Sequence, residues 1–447
     1  MKRSGRYSLA VLSGILLSLS WPQAGFGPLV LSALVPLLFV LRDFWRNVDV
    51  HRPLGNTFFY SWLAMAVFNG LTGWWISLAH WSGLVAVVFI AASVEALLLT
   101  LWVWVTRQIG ERRGMWALPV FWLMHEWVLD SWDMEWPWLK LGYAFADMPL
   151  WIQWYSWTGV YGGALWVIMV NLLLFKWLQH PRAQWLKRSW QPAWMIILPV
   201  VASAIMYGKW KEKGEAIEVV VVQPNIEPYE EKFSMPVTDQ LRIFMEESRK
   251  LVTDSTYYIV APETMIPQGL DEDRITDEPL LRMLQSFRKS EGEEVHMVLG
   301  MNTIRRYREK ATSTAREARG RGFYYDVFNT AAQLSNADSI PLYHKSKLVV
   351  GAEKMPFISV LQPLLGEVVI DFGGISGTNR TQSDREVFVS DDGRFRAAPI
   401  ICWEAEFANF VADYVRDADA NIFFAITNDG WWGDNEGHRQ HLHYARV

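Results

Sequence analysis

Cysteine is nearly missing from this chain: Cys402, in "PIICWEAEF", is the only one among 447 residues. A single thiol excludes an internal disulfide and any cysteine-rich metal site. It leaves the redox compartment open, since one thiol suits either environment. Surplus positive charge is missing too. The formal net charge is −5, which excludes the basic footprint of a nucleic-acid-binding chain. Charge of either sign is scarce up to residue 210, where Trp, Leu and Val dominate. What fills the chain instead is apolar and aromatic: 51% of residues are hydrophobic, 14% are aromatic and 26 are tryptophan.

The apolar residues fall in runs. Crossing about 30 Å of hydrocarbon takes roughly 20 residues, and seven runs approach that length. They are Tyr7–Trp21, Pro28–Leu41, Asn56–Trp75, Ser82–Val105, Met115–Leu129, Tyr155–Phe175 and Ala193–Gly208. The first follows Lys2, Arg3 and Arg6 but precedes no small-residue cleavage site, so it reads as a retained span and not a removed leader. Basic residues then recur in alternate loops: Arg42, Arg46 and Arg52; Arg107, Arg112 and Arg113; Arg182, Lys187 and Arg188. The intervening loops, such as "PQAGFG" and "DSWDMEWPWLKLGYAFADMP", are nearly free of them or acidic. The positive-inside rule makes the basic loops and the N-terminus cytoplasmic. An odd number of spans then leaves everything after Gly208 outside. Trp132, Trp136 and Trp138 crowd one outer loop, either as a thick interfacial belt or as a floor for a lipid ligand. Glu126 sits within an apolar run and carries no role from sequence alone. The reading divides the chain into a helical membrane domain over 1–210 and an extracytoplasmic domain over 211–447.

The second domain reads as α/β. "AIEVVVVQPNI" (Ala216–Ile226) is a buried strand and Val237–Val252 has helical spacing. Thr256–Pro267 is a strand running into a Pro-flanked loop. "FYYDVFNTAAQLS" and "REVFVSDDGRFRAAPIICWE" look like hairpin material, with "DDG" at a turn. Strands alternating with helices imply a layered domain with a largely buried sheet.

Three strand ends carry reactive residue types: Glu263 in "VAPETMIP", Lys345 in "LYHKSKLVVGAEKMPF" and Cys402 in "APIICWEAEF". A carboxylate can take a thiol proton, and an ammonium can favour the thiolate and hold an oxyanion. Each alone has an ordinary structural reading: inert core thiol, solvated lysine, loop acid. Together, each at the end of an apolar run, they point to an activated nucleophile. Lys347 competes with Lys345 for the ammonium role. His438, His441 and His443 stand in "GHRQHLHYAR", which reads as a polar loop and helix start beside the active site, with no metal implied.

The order "APET…YHKSKL…ICWE…TNDGWWG" resembles the nitrilase superfamily. Joined to a polytopic first half, it resembles the apolipoprotein N-acyltransferase branch. The resemblance implies a four-layer α/β/β/α sandwich and a Glu263–Lys345–Cys402 triad: base, intermediate-stabilising ammonium and nucleophile. It implies supporting roles for Glu353, in the loop after the lysine, and Glu404, two residues after the cysteine. Phe233, Trp403, Trp431 and Trp432 would line the substrate. This chain has "VGAE" at 350–353 where the family commonly has "PFGE", Trp403 where Tyr is common, and Phe233 where Trp is common. The family also continues past "HYAR" with further strands and a last membrane helix, so the resemblance implies that the domain is incomplete at Val447.

The activity implied is transfer of an acyl chain from a membrane phospholipid, through a thioester on Cys402, to the N-terminal amine of a diacylglyceryl-cysteine lipoprotein. It implies a monomer in the bacterial inner membrane with its catalytic domain on the periplasmic side, needing no cofactor. A membrane-tethered amidase would use the same triad with water as acceptor. A non-catalytic scaffold would have no need of the three residues together.

Overall fold

A chain crossing lipid must satisfy its backbone polar groups internally, which favours helices. The computed structural model describes residues 1–47, 51–228, 230–318, 320–357 and 378–447, with the side chain of Trp432 also outside the description. The chain divides into two compact units, Met1–Glu212 with Asp434–Val447, and Lys213–Gly433. The sequence division at residue 210 had left the last of these segments with the catalytic half.

In the first unit, four helical segments are long and apolar enough to cross a membrane: Gly27–Arg46, Trp81–Ile109, Tyr155–Leu178 and Arg182–Lys209. The other three expected spans are helices as well. However, Arg3–Leu19 has 17 residues, and the helical segment ending at Leu129 runs unbroken from Glu111 but carries Glu111, Arg112, Arg113 and Glu126. Pro53–Thr72 reaches 20 residues but dilutes its apolar content with Asn56, Ser61 and Asn69. Length and composition thus give four among the described residues, where apolar runs alone suggested seven.

Polar side chains in this unit repair the backbone where helices break. The helix break at Leu34–Pro36 frees backbone groups that neighbouring side chains then satisfy. Ser13 Oγ donates to Ala33 O (2.6 Å) and accepts from Leu37 N (2.9 Å), while Asn171 accepts from Leu34 N (2.9 Å) and donates to Val30 O (2.8 Å). Glu126 acquires a role of the same kind. It is buried and accepts from Trp122 Nε1 (3.0 Å) and Leu141 N (2.9 Å), fixing the start of the 3-10 turn Leu141–Phe145.

The stretch "GHRQHLHYAR" supplies the helix Glu436–Tyr444, which packs within this first unit. Tyr444 stacks on Tyr143 with ring centroids 4.4 Å apart and accepts from Trp21 Nε1 (2.6 Å). Gln440 accepts from Trp138 Nε1 (2.6 Å) and donates to Thr72 O (3.1 Å). Trp138 is fully buried, so it serves as packing for this helix and offers no open floor to a lipid.

The second unit holds two sheets. The larger has the order β1 (Glu218–Val221), β2 (Thr256–Val260), β4 (His296–Tyr307), β6 (Tyr324–Leu334) and β5 (Arg316–Glu317). Strand β3 (Ile266–Asp271) pairs with β4, and β7 (Leu342–His344) pairs with β6. β1, β2, β3 and β4 run parallel where they pair, and β5, β6 and β7 pair antiparallel. The second sheet is β10 (Ile422–Ile426), β9 (Arg396–Ile401) and β8 (Phe388–Val389). Its β8–β9 connection closes at the expected "DDG": Ser390 N donates to Phe395 O (2.9 Å) and Gly393 adopts φ 74°.

Layering follows from the apolar spacing. Helices Val237–Arg249 and Pro279–Glu291 bury Leu241, Phe244, Leu281, Leu284 and Phe287 against Val220, Ile259, Met297 and Leu299 of the larger sheet. Full burial of such side chains contributes about 1.5–3 kcal/mol each. On the far side, helix Ala408–Ala418 buries Phe410 and Tyr414, and the Tyr414 hydroxyl donates to Pro399 O of β9 (3.2 Å). Between the sheets, the Tyr258 ring meets Phe424 at 4.9 Å and Gln333 Nε2 donates to Val389 O (2.9 Å). The result is the α/β/β/α sandwich expected from the resemblance.

Candidate active site

Parallel strands direct their C-terminal ends, and the loops that follow, to one side of a sheet. β2 leads into Glu263 and β9 ends at Ile401, immediately before Cys402, while Lys345 follows β7. The structure brings the acid and the ammonium into direct contact. Lys345 is buried, and its Nζ donates to Glu263 Oε1 at 2.9 Å and lies 2.9 Å from Glu353 Oε2. Lys347 instead lies over the Phe407 ring, 4.6 Å from its centroid. The ammonium between the carboxylates is therefore Lys345.

Asn329 was not singled out by the sequence reading. It lies in β6, and its Nδ2 donates to Glu263 Oε1 (2.7 Å) and Glu353 Oε1 (2.8 Å). A polar residue inside an apolar strand was its only signal. Glu353 returns to the cluster through a tight turn. Its Oε2 accepts from Val349 N (2.9 Å), its own N donates to Val349 O (2.9 Å), and Gly351 adopts φ 87°. The glycine of "VGAE" thus supplies the left-handed residue that the turn needs.

Cys402 opens a short 3-10 turn, Cys402–Glu406, and adopts φ 49°. A non-glycine residue in the left-handed region costs of order 1–3 kcal/mol and persists only where the surroundings impose it. Glu404 does much of the imposing. It is fully buried, its Oε2 accepts from Ile401 N (2.8 Å), and its Oε1 accepts from Ser346 N (2.6 Å) and the Tyr343 hydroxyl (2.7 Å). One carboxyl therefore ties the residue before Cys402 to the residue after Lys345.

Gly300 in β4 also shapes the site. A Cβ there would stand 2.6 Å from Glu263 Cα and 2.6 Å from Thr264 N. Gly300 N in turn donates to Pro262 O (3.1 Å). Only glycine lets the Glu263 loop lie this close to the strand, and Thr264 completes that loop at φ 49°.

The electrostatics follow from burial and neighbours. Burial pushes the Cys402 thiol well above its ordinary range, and the Glu263 charge adds to this. Lys345 and Thr427 pull the other way, while Asp429 raises it further. Burial would also raise Glu263, but the Lys345 charge and hydrogen bond, Asn329 and Lys232 bring it below the usual carboxylate range. Burial would lower Lys345, yet Glu263, Glu353 and Cys402 hold it well above the ordinary lysine range. At neutral pH the cluster is thus a protonated thiol facing an ionised carboxylate and an ammonium. Such a set can move the thiol proton to the carboxylate as sulfur attacks, with a cation in place for the charge that develops.

Of the aromatic residues expected to line the substrate, Trp403 is buried against Phe407, with ring centroids 6.5 Å apart. The Trp431 ring lies beside the Lys232 ammonium, 5.8 Å from its centroid. Phe233 is 67% exposed; it is the neighbouring Lys232 that turns inward. The side chain of Trp432 lies outside the described residues. His441 packs on Trp138 within the first unit, 5.8 Å between centroids.

Known proteins share this architecture. Residues 219–447 match the carbon–nitrogen hydrolase family. The chain belongs to the carbon–nitrogen hydrolase superfamily. Within that superfamily it falls in the apolipoprotein N-acyltransferase branch, because residues 13–173 match the apolipoprotein N-acyltransferase N-terminal domain. Curated relatives carrying that name match nearly the whole chain. The Chlorobaculum tepidum protein is 28% identical over 462 residues, covering 99% of this chain and 82% of its own. The Geobacter metallireducens protein is 27% identical over 455 residues, covering 98% and 80%. The Pseudomonas syringae pv. tomato protein is 25% identical over 460 residues, covering 98% and 81%. With four helices apolar enough to cross a bilayer, this carbon–nitrogen hydrolase is a membrane-associated bacterial protein.

Proposed function

We propose that this protein transfers an acyl chain from a membrane phospholipid to the N-terminal amine of a diacylglyceryl-cysteine lipoprotein. The observation that carries the reading is the buried contact of Lys345 with both Glu263 and Glu353, with the charges of Glu263 and Lys345 bearing on Cys402. The apolar helices joined to it favour lipid substrates over soluble ones.

In this reading Cys402 Sγ attacks the ester carbonyl of the phospholipid and its proton passes to Glu263. Lys345 stabilises the oxyanion of the tetrahedral intermediate. The ester C–O bond breaks, Glu263 returns the proton to the departing oxygen, and a lysophospholipid leaves a thioester on Cys402. The α-amine of the lipoprotein then attacks the thioester carbonyl and the C–S bond breaks. An amide forms and the thiol is restored. Glu353 and Asn329 hold Lys345 and Glu263 in register, and Glu404 holds the strained Cys402 turn. The basic loops favour a cytoplasmic N-terminus, and crossing by all seven apolar segments, the shorter ones included, would set the catalytic unit on the periplasmic side of the inner membrane.

The test supplies the full chain in phospholipid vesicles with a diacylglyceryl-cysteine peptide. The expected product is the N-acylated peptide, absent with Cys402→Ala. Hydrolysis of small amides without peptide acylation would replace this reading with the membrane-tethered amidase.

A further inference from the structure

The chemistry above uses one ammonium, but the same cluster faces a second. Lys232 stands in "EEKF", a stretch whose charges look solvated in sequence. In the fold it is only 4% exposed. Its backbone is pinned on both sides: its N donates to Glu227 O (2.9 Å) and its O accepts from Gln240 Nε2 (2.7 Å). Its Nζ donates to the Thr264 hydroxyl, directly after Glu263, and sits beside the Trp431 ring. Lys232, Glu263 and Thr264 line one small cavity with Gln223, Asn225 and Asn428.

Burying a lysine is costly unless something holds the charge. Here the charge of Glu263 bears on it, joined by that of Cys402 once the thiol ionises. The charge balance gives a reason for its presence. Glu263 and Glu353 both face Lys345, and Asp429 adds a further carboxylate near the thiol. With Lys345 alone, a thiolate formed at Cys402 would be one more anion in a cluster already negative. A second ammonium offsets it.

We propose that Lys232 is a positioning residue for this site: it anchors Thr264, and so the Glu263 loop, and its charge favours ionisation of Cys402. This rests on Cys402 being the nucleophile, as assigned above. Burial pushes the Lys232 ammonium down to about 8, against the opposing pull of Glu263 and Cys402. Its contribution should therefore fade in mildly alkaline solution.

The test measures alkylation of Cys402, the only thiol, by iodoacetamide across pH, on the intact protein in detergent, read by mass. An opposite charge within about 4–6 Å moves a pKa by roughly 1–3 units. Lys232→Met should accordingly slow alkylation about tenfold below about pH 8, where the ammonium keeps its proton, and converge on the wild-type rate above it, whereas Lys232→Arg should hold the wild-type rate below about pH 8. A Lys232→Met slowed equally below and above about pH 8 would mean a structural role only and would overturn the proposal. Should Lys232→Met fail to fold, wild type and Lys232→Arg still decide. The wild-type profile should show a second step near pH 8, missing in Lys232→Arg because a guanidinium keeps its proton there. The same step in both proteins would also overturn it. Alkylation needs no phospholipid, so the result stands apart from the acyl-transfer assay. A protein that acylates Cys402 but whose Lys232→Met variant is slowed equally at every pH would lose only the Lys232 proposal.

Discussion

At the scale of single residues, the site is a balance of burial against charge. Glu404 illustrates the sign. Burial pushes its carboxyl up to about 7, against the hydrogen bonds from Ile401, Ser346 and Tyr343. The folded protein therefore holds a proton that the unfolded chain releases near 4.5. That contribution to stability is complete in acid and is lost as pH rises from about 4.5 to about 7. Glu404→Gln removes the titration. It also leaves one oxygen to serve three donors, at a cost of about 1–3 kcal/mol. Thermal unfolding in detergent at about pH 5 and about pH 8 should show a smaller pH dependence for the variant, at lower overall stability. An equal pH dependence would assign the titration to another group. The meeting of Lys345 with Glu263 was legible because reactive side chains stood at the ends of apolar strands. Asn329 and Lys232 were not. An asparagine within "VFNTAAQLS" reads as strand, and a lysine after two glutamates reads as solvent. Only the fold shows that the first joins two carboxylates and the second turns inward.

At the scale of elements, the sandwich was legible because strand and helix periods alternate cleanly after residue 210. The "DDG" turn fell where expected, and the helix Val237–Arg249 lies within the stretch read from its spacing. The close approach of β4 to the base loop was not read, although an isolated glycine within a strand is a signal for it. Gly300→Ala tests that approach. Its Cβ would meet the backbone of Pro262, Glu263 and Thr264 at 2.6–2.8 Å, so the loop carrying Glu263 must move. A displacement of about 1 Å can cost 100-fold in rate, and a loss of roughly that size in Cys402 acylation is expected, with the fold retained by circular dichroism. Wild-type rates in this variant would mean that the loop can shift without consequence. Apolar runs mark hydrophobic helices: all seven fall on helical segments, and four segments among the described residues are long and apolar enough to cross a membrane.

At the scale of the whole molecule, the chain joins apolar helices to a carbon–nitrogen hydrolase sandwich. Its last described helix, Glu436–Tyr444, belongs with the helical unit and not with the sandwich that precedes it. The residues that bind it, Trp21, Thr72, Trp138 and Tyr143, lie hundreds of positions away in the sequence. Orientation can be tested through the scarcity of cysteine. In a Cys402→Ala background, a single cysteine at Ser131 should react with a membrane-impermeant maleimide added to intact cells with a permeabilised outer membrane. One at Arg112 should not. The reverse pattern would place the basic loops outside.

The central claim is that Cys402 carries the acyl chain. Intact-mass measurement of the full-length protein, after incubation with phospholipid of one defined acyl chain and no acceptor, tests it most directly. The account predicts a mass increase equal to that acyl group, removed by hydroxylamine, absent in Cys402→Ala and strongly reduced in Glu263→Gln. An unmodified wild-type protein, or an adduct that persists in Cys402→Ala, would contradict it.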